Sequence, residues 1–569
     1  METIPHLVLA NAQRFRNEPA LVRRVDGSWQ TATWGDYGAS VRQAAQALIA
    51  SGIEAGDRVA ILSYNTPEWV IFDVAAMAVG AVPVGIYFSS SAEEIADMLE
   101  RSNARIVLAE TAAHIEKINA ATLPALELVV GVDDSPGDAI SWTSFLERAE
   151  GSDAGAVEER LAALRPDDAG TIIFTAAGHG NTVGVVLTHD NLFFTSLSSI
   201  EVSGAGLSSS ALSYLPLSHI AEQIFTILAP AQVGYSVVFA QSLGRVRVDL
   251  PEIQPTIFFG VPLVWAGFER AIRKQIDGLD GYQGNVARWS MSAVRRDLAI
   301  RNEGRTPGLL HRAQTAIARR LFTDRAKKAM GFSRAKAVYS GAASADPEGL
   351  AYLAGLDIPI RQVYGLSEAT GPSSVTREGA DRYGTVGYPM PGVETSLADD
   401  GEILIRGRSV FSGYLDDEEA TRDALRDGWL HTGDLGTMGS DNQLTISGRK
   451  KDIVITTGGK NVCPRALEVL LLDDAEIVDA VVVGDGYDQL GVLIAVAEEF
   501  GSDRDAALEH VQRVVKSVNQ RFARAEQIRR IGLLSRPLSI ELGEKSESGN
   551  TERRVVADHF ADEIEDLYR

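Results

Sequence analysis

Between residues 57 and 87 the chain alternates an apolar strand (RVAIL), a short turn, an apolar helix over 69–79 and a second strand, AVPVGIY. Two buried strands joined through a helix define a βαβ unit. The crossover forces the strands parallel and puts helices against the sheet face. Residues 105–110 read as a further buried strand. The expected fold class is therefore α/β, with mixed sheets packed against helices. With 569 residues the chain is too long for one ordinary core, so more than one domain is expected.

The segment 175–184, TAAGHGNTVG, follows the apolar strand Thr171-Ile172-Ile173-Phe174 and precedes VVLTHDNL. We read it as strand, Gly-rich loop and helix, the arrangement that cradles phosphates on backbone N–H groups. A working loop of this kind needs hydroxyl donors and a cation. Here Ala176, Ala177 and Gly178 supply no side-chain donor, and Val183 stands where a lysine is expected.

Composition narrows the function. A net charge of −23 argues against sequence-independent nucleic-acid binding, which needs a basic footprint. The single cysteine, Cys463, permits no internal disulfide and suits a reducing cytoplasm; it reads as a small apolar residue rather than a nucleophile. The start of the chain lacks the pattern of a signal peptide, and no apolar run reaches membrane-span length. A cytoplasmic protein is expected. Residues 133–138 and 149–160 read as polar surface connections. Residues 273–336 read as helical and, for this acidic chain, rich in Arg and Lys. From 401 onward short strands and turns take over, and after 448 a compact α/β segment begins.

Three further landmarks carry chemistry: Tyr364-Gly365-Leu366-Ser367-Glu368, Thr432-Gly433-Asp434, and GRKKDIVITTGGKNVCP over 448–464. Together they resemble the acyl-adenylate-forming superfamily, in its long-chain acyl-CoA synthetase branch. The resemblance implies a large N-terminal domain, 1–450, that binds the adenylate. It also implies a small mobile domain, 451–569, that rotates about Lys451 to form a CoA tunnel. Gly341, Ala342 and Ala343 on one side and Gln362 to Tyr364 on the other would wall an adenine slot, with Tyr364 stacking on the base. Ser367 would donate its hydroxyl to the AMP phosphate, Gly365 would belong to the same adenylate site, Glu368 would face Mg²⁺ in a full synthetase, and Asp434 with Arg449 would grip the ribose hydroxyls. Gly458, Gly459 and Lys460 would line the pantetheine path, and His219 in LPLSHIAE would belong to the acyl pocket. The family's acyl-pocket stretch V-P-R-V-W is matched over 261–265 except that Leu263 replaces Arg.

Against the family's S-G-T-T-G-x-P-K-G loop, Ala176, Ala177, Gly178, His179, Thr182 and Val183 are departures; only Gly180 and Gly184 remain. The lysine that drives adenylation in the family falls on Asn550, in the register set by Arg553-Arg554-Val555-Val556. Removing one preorganised charge-stabilising donor costs about 10²–10³ in rate, and several are replaced together. Groups for AMP and CoA are retained. The expected activity is thus thioester formation alone, acyl-adenylate plus CoA giving acyl-CoA plus AMP. CoA is the co-substrate, Mg²⁺ is not required for that step, and there is no resident metal site. A separate adenylating enzyme would supply the intermediate. Within the family this resembles the non-adenylating acyl-CoA ligases of platensimycin and platencin antibiotic biosynthesis, which implies a bulky diterpenoid acid. Two alternatives stay open. One is a complete ATP-dependent long-chain fatty acyl-CoA synthetase with His179 or Lys545 replacing the lost cations. The other is a catalytically dead adenylate-binding protein.

Overall fold

The computed structural model describes residues 3–569 except 134, 152, 154, 177–181, 344, 380–381, 458–460, 475, 502 and 547–548; at 176, 455, 461, 498, 499 and 525 it describes the backbone only. Two large mixed sheets, with strands drawn from residues 19–414, form the bulk of the chain. One has eight strands, with Val82–Ile86 between Arg58–Leu62 and Ala169–Ala176. The other has nine, with Ser210–Ser213, Ile257–Gly260, Ala337–Ser340 and Arg361–Leu366 as consecutive neighbours. The expected βαβ unit is present: Arg58–Leu62 and Val82–Ile86 pair in parallel across the helix Pro67–Ala78. That helix is buried from Trp69 to Ala78. The cluster around it draws on Ile61 and Ile173 from one sheet and on Val237 and Ile257 from the other. Apart from the buried Asp73, residues 69–78 of the helix are apolar on every side, as expected of a stretch with no face toward water.

A five-stranded sheet built from Glu394–Leu397, Glu402–Arg406, Leu425–Arg426, Trp429–Met438 and Leu444–Arg449 comes next. Beyond it, Ile477–Val483, Leu490–Val496 and Ile528–Leu533 form a three-stranded sheet with its own apolar cluster, including Leu467, Val492 and Val511.

Two expectations need correction. The Gly-rich segment does not lead from a strand into a helix. Ala169–Ala176 pairs antiparallel with Thr182–Thr188, so the two strands flanking 177–181 form a hairpin pair, and the helix His189–Ser203 begins only afterwards. Burial alternates along the second strand: Val185 and Leu187 are fully buried while Val186 and Thr188 are only partly so, a period of two. Thr188 then caps the helix, its hydroxyl accepting from Asn191 N–H while the Asn191 side chain accepts from Thr188 N–H. The second correction concerns 149–160, read as a polar connection: Gly155–Ala163 is a helix, held by Val157 in the core.

Candidate functional site

A cavity of about 880 Å³ lies among these elements, and the landmarks from distant parts of the chain meet on it. Gly365, Ser367 and Glu368 reach it from the end of Arg361–Leu366 and the turn after it; Asp434 comes from Trp429–Met438 and Arg449 from Leu444–Arg449. Asp434 and Arg449 are direct neighbours in the antiparallel register. Arg449 Nε donates to Asp434 Oδ1 at 3.1 Å, and the Tyr364 hydroxyl donates to Oδ2 at 2.8 Å. Burial raises the Asp434 pKa, with Arg449 and the Tyr364 hydrogen bond opposing it. A buried carboxylate already accepting on both oxygens is rigid, and its remaining lone pairs suit a diol.

Glycine is required at 365. A Cβ there would stand 1.8 Å from the Gly371 carbonyl oxygen of the neighbouring strand. Ala342 lines the cavity with φ of 67°, a conformation rare outside glycine, which aims its carbonyl at the C-terminal segment. Glu368 accepts from the Tyr414 hydroxyl at 2.9 Å, and burial raises its pKa. His219 lines the cavity and caps the helix Ile220–Gln223: its Nδ1 accepts from Ala221 N–H at 3.1 Å. That bond assigns the ring proton to Nε2, and burial lowers the pKa to about 4, so the ring is a neutral donor.

The C-terminal segment closes one side. Asn550 lines the cavity, and its Nδ2 donates to the Ala342 carbonyl at 3.2 Å. Its loop is folded on itself, with Ser546 N–H donating to the Asn550 carbonyl at 2.8 Å. The helix Arg553–His559 comes directly after this loop. Its first residue anchors it through paired bonds of 2.5 and 2.6 Å from Arg553 to buried Glu468 and one of 3.0 Å to the Val482 carbonyl. Lys545 forms an ion pair with buried Asp479, which also accepts from Leu538 N–H. Lys545 is not part of the cavity wall.

Of the residues singled out from the sequence, Ala342, Gly365, Ser367, Glu368, Asp434, Arg449, Lys451, His219, Val183 and Asn550 line the cavity. Gly341, Ala343, Gln362 and Tyr364 do not. Gln362 is committed within the scaffold, its N–H donating to the Thr376 hydroxyl and its Oε1 accepting from Gly384 N–H. Tyr364 is tied to the site through its hydroxyl. Ala177, Gly178, His179, Gly180, Gly458, Gly459 and Lys460 lie outside the described residues, as does the Ala176 side chain. Leu263 is 60% exposed on the first turn of Pro262–Asp277 and is not part of the cavity wall. Cys463 donates its Sγ–H to the Ser447 carbonyl at 2.9 Å, and burial raises its pKa, which fits a structural thiol.

The sequence reading missed Tyr414, Lys450, Ser546 and Glu552, all on the cavity. Lys450 holds Asp400 and Glu402 at 2.6 and 3.2 Å, and Glu402 accepts from Gly433 N–H at 2.9 Å, which props the Thr432-Gly433-Asp434 turn. Only the adjacency of Lys450 to Arg449 pointed to it; Tyr414 carries no local signal, because its partner Glu368 lies 46 residues away.

These features place the chain in a known class. Residues 8–415 match the AMP-binding enzyme family and residues 451–569 match the AMP-binding enzyme C-terminal domain. The chain belongs to the AMP-binding, acyl-adenylate-forming superfamily. It is 34% identical to the long-chain-fatty-acid–CoA ligase FadD15 of Mycobacterium bovis, covering 97% of this chain and 95% of that one. It is 28% identical to the human long-chain-fatty-acid–CoA ligase ACSBG2, over 100% of this chain and 92% of the other. Among solved structures it is similar in fold to the anthranilate CoA ligase AuaEII in complex with anthranoyl-AMP (TM-score 0.76, 18% identity, 98% and 97% of the two chains). It is likewise similar to a Mycobacterium tuberculosis fatty acyl CoA synthetase (TM-score 0.66, 21% identity, 99% of each chain). Among the described residues, no helix is long and apolar enough to cross a membrane.

Proposed function

We propose that the chain is an acyl-CoA ligase whose own chemistry is the thioester half-reaction: acyl-adenylate plus CoA gives acyl-CoA plus AMP. The CoA sulfur, as thiolate, attacks the acyl carbon. A C–S bond forms, the C–O bond to phosphate breaks, and AMP leaves with that electron pair. The substrate is already activated, so the protein's task is to hold the adenylate and orient the thiol, a proximity effect. The observation that carries this reading is Asn550. The residue standing at the family's adenylation lysine faces the cavity as a neutral amide, and the nearby Lys545 is held on Asp479. Expulsion of pyrophosphate needs positive charge at the α-phosphate, and neither Asn550 nor Val183 brings any. Glu368 is the carboxylate on the cavity suited to a nucleotide-bound Mg²⁺, which would stabilise triphosphate charge; the thioester step does not call on it. In this reading residues 451–569 rotate about Lys451 between adenylate binding and CoA attack. A separate enzyme supplies the adenylate. The diterpenoid acyl group rests on the family resemblance alone.

A second reading is a complete ATP-dependent long-chain fatty acyl-CoA synthetase. The relatives favour it over the first, since named long-chain-fatty-acid–CoA ligases match nearly the whole chain. One experiment separates the two. The unmodified protein is given a long-chain acid, ATP, Mg²⁺ and labelled pyrophosphate, and in parallel a synthetic acyl-adenylate with CoA. Thioester from the adenylate without exchange of label into ATP supports the first reading. Rapid acid-dependent exchange establishes the second. No thioester from saturating adenylate and CoA defeats both.

A further inference from the structure

The end of the cavity farthest from Asp434 is not uniformly apolar. The strand Arg361–Leu366 sets the direction: side chains at 361 and 363 share one face, Val363 lines the cavity, and beyond a bulge between Tyr364 and Gly365 the strand continues along it with Gly365 and Leu366. Gly365 sits two residues before Ser367, at the phosphate end. Arg361, four residues upstream along the strand, lies about 13 Å deeper. Tyr339 is its partner in the parallel register, lines the cavity, and is 4% exposed. The Tyr339 ring packs on Phe225, with centroids 5.9 Å apart. The buried Arg361 guanidinium stands beside the phenol oxygen and opposes the rise in pKa that burial imposes there. Arg361 also reaches the Val202 carbonyl at 3.5 Å and Glu378 at 3.2 Å. Ser199 lies one turn before Val202 on the same helix and also lines the cavity. Its Oγ has no hydrogen-bond partner among the described residues.

A cation at the phenol oxygen draws on its lone pairs and turns the O–H proton away from itself. Arginine has donors only, so it offers that proton no acceptor. The far wall thus holds a polarised phenol donor and, buried within the wall, an unpaired serine hydroxyl. A plain hydrocarbon chain reaching it would leave both unmet, at the cost of desolvated polar groups. A second carboxylate is not what the site asks for, because Glu378 already faces Arg361.

We propose that the distal end of this cavity recognises a neutral hydrogen-bond-accepting oxygen, of the ketone or ether class, carried on the acyl group remote from its activated carboxyl, with Tyr339 as donor and Ser199 as its companion. The proposal rests on the adenylate-binding reading above and names a substrate class for it.

The test uses two unreactive adenylate mimics, acylsulfamoyl-adenosines bearing either a dodecanoyl chain or the same chain with a ketone near its far end. Affinities are measured by calorimetry. A specific hydrogen bond predicts that the ketone form binds the unmodified protein about tenfold more tightly. In Tyr339→Phe, which keeps the ring contact with Phe225, the ratio of affinities is expected to fall toward one. Ser199→Ala, which removes a single atom from an unpaired group, serves as an independent variant and is expected to reduce the ratio severalfold. Equal affinities in the unmodified protein, or a ratio unchanged in both variants, overturn the proposal while leaving the ligase reading intact. If neither mimic binds, the adenylate-binding reading falls and this proposal falls with it.

Discussion

Asn550→Lys is the perturbation that most directly probes the divided chemistry. Asn550 Nδ2 is 3.2 Å from the Ala342 carbonyl, on a cavity shared with Ser367, so a longer lysine side chain at this position is expected to extend into that cavity. An ammonium about 4 Å from a phosphate charge is attracted by roughly 4 kcal/mol at an effective dielectric of 20. Only the part that grows on the way to the transition state speeds the reaction. If that part is half, the gain is roughly 2 kcal/mol, or about thirtyfold in rate. Adding Val183→Lys, at a second cavity-lining position, is expected to raise the gain toward the 10²–10³ typical of a preorganised donor. The assay is acid-dependent exchange of labelled pyrophosphate into ATP, with thioester formation from a supplied adenylate as the control for folding. Exchange that stays at background in both variants while the thioester step persists would refute the reasoning, because charge at these positions would not be what adenylation lacks. Fast exchange by the unmodified protein would refute it from the other side.

Three further outcomes rest on the same geometry. Asp434→Asn replaces one of the two oxygens that accept from Tyr364 and Arg449 with a donor; AMP affinity by calorimetry is expected to fall about 10–100-fold, the worth of hydrogen bonds to a charged group. Arg553→Ala strands Glu468, 1% exposed, without its partner, and is expected to destabilise the C-terminal region by about 3–5 kcal/mol, read by denaturant melts of the full chain. His219 has a folded pKa of about 4 against 6.5 unfolded. The unfolded chain therefore binds the extra proton between those values, and stability falls as pH drops from 6.5 to 4 and is unaffected by this group above 6.5. His219→Asn keeps an oxygen for the Ala221 N–H cap and does not titrate. The acid-induced loss across that window is expected to shrink by about 3 kcal/mol in melts at stepped pH, and an unchanged slope would refute the assignment.

Much of the site was legible because its parts are short local motifs, but their meeting was not. Thr432-Gly433-Asp434 and Arg449 are recognisable singly. That they touch depends on the antiparallel register of Trp429–Met438 with Leu444–Arg449, which local pattern does not number. The strand pairing on either side of 177–181 was misread for a related reason: glycines announce a turn, and a continuous apolar run such as Val183-Gly184-Val185-Val186-Leu187 does not by itself tell strand from helix. Tyr414 and Glu368 meet across 46 residues with no motif at all. The position that matters most, Asn550, depends on register as well. Reading the C-terminal segment one way puts an amide in the cavity; sliding it by five residues puts Lys545 there. Physical anchors decide between the two. Arg553 is locked to Glu468 and the Val482 carbonyl, Lys545 to Asp479, and the loop between them is closed on itself by Ser546 and Asn550. Sliding Lys545 into the cavity would break both pairs and leave two buried carboxylates without cations, each a loss of several kcal/mol, against which one new contact to a phosphate does not suffice. The fold itself therefore argues that the residue standing at this wall of the cavity is the neutral Asn550.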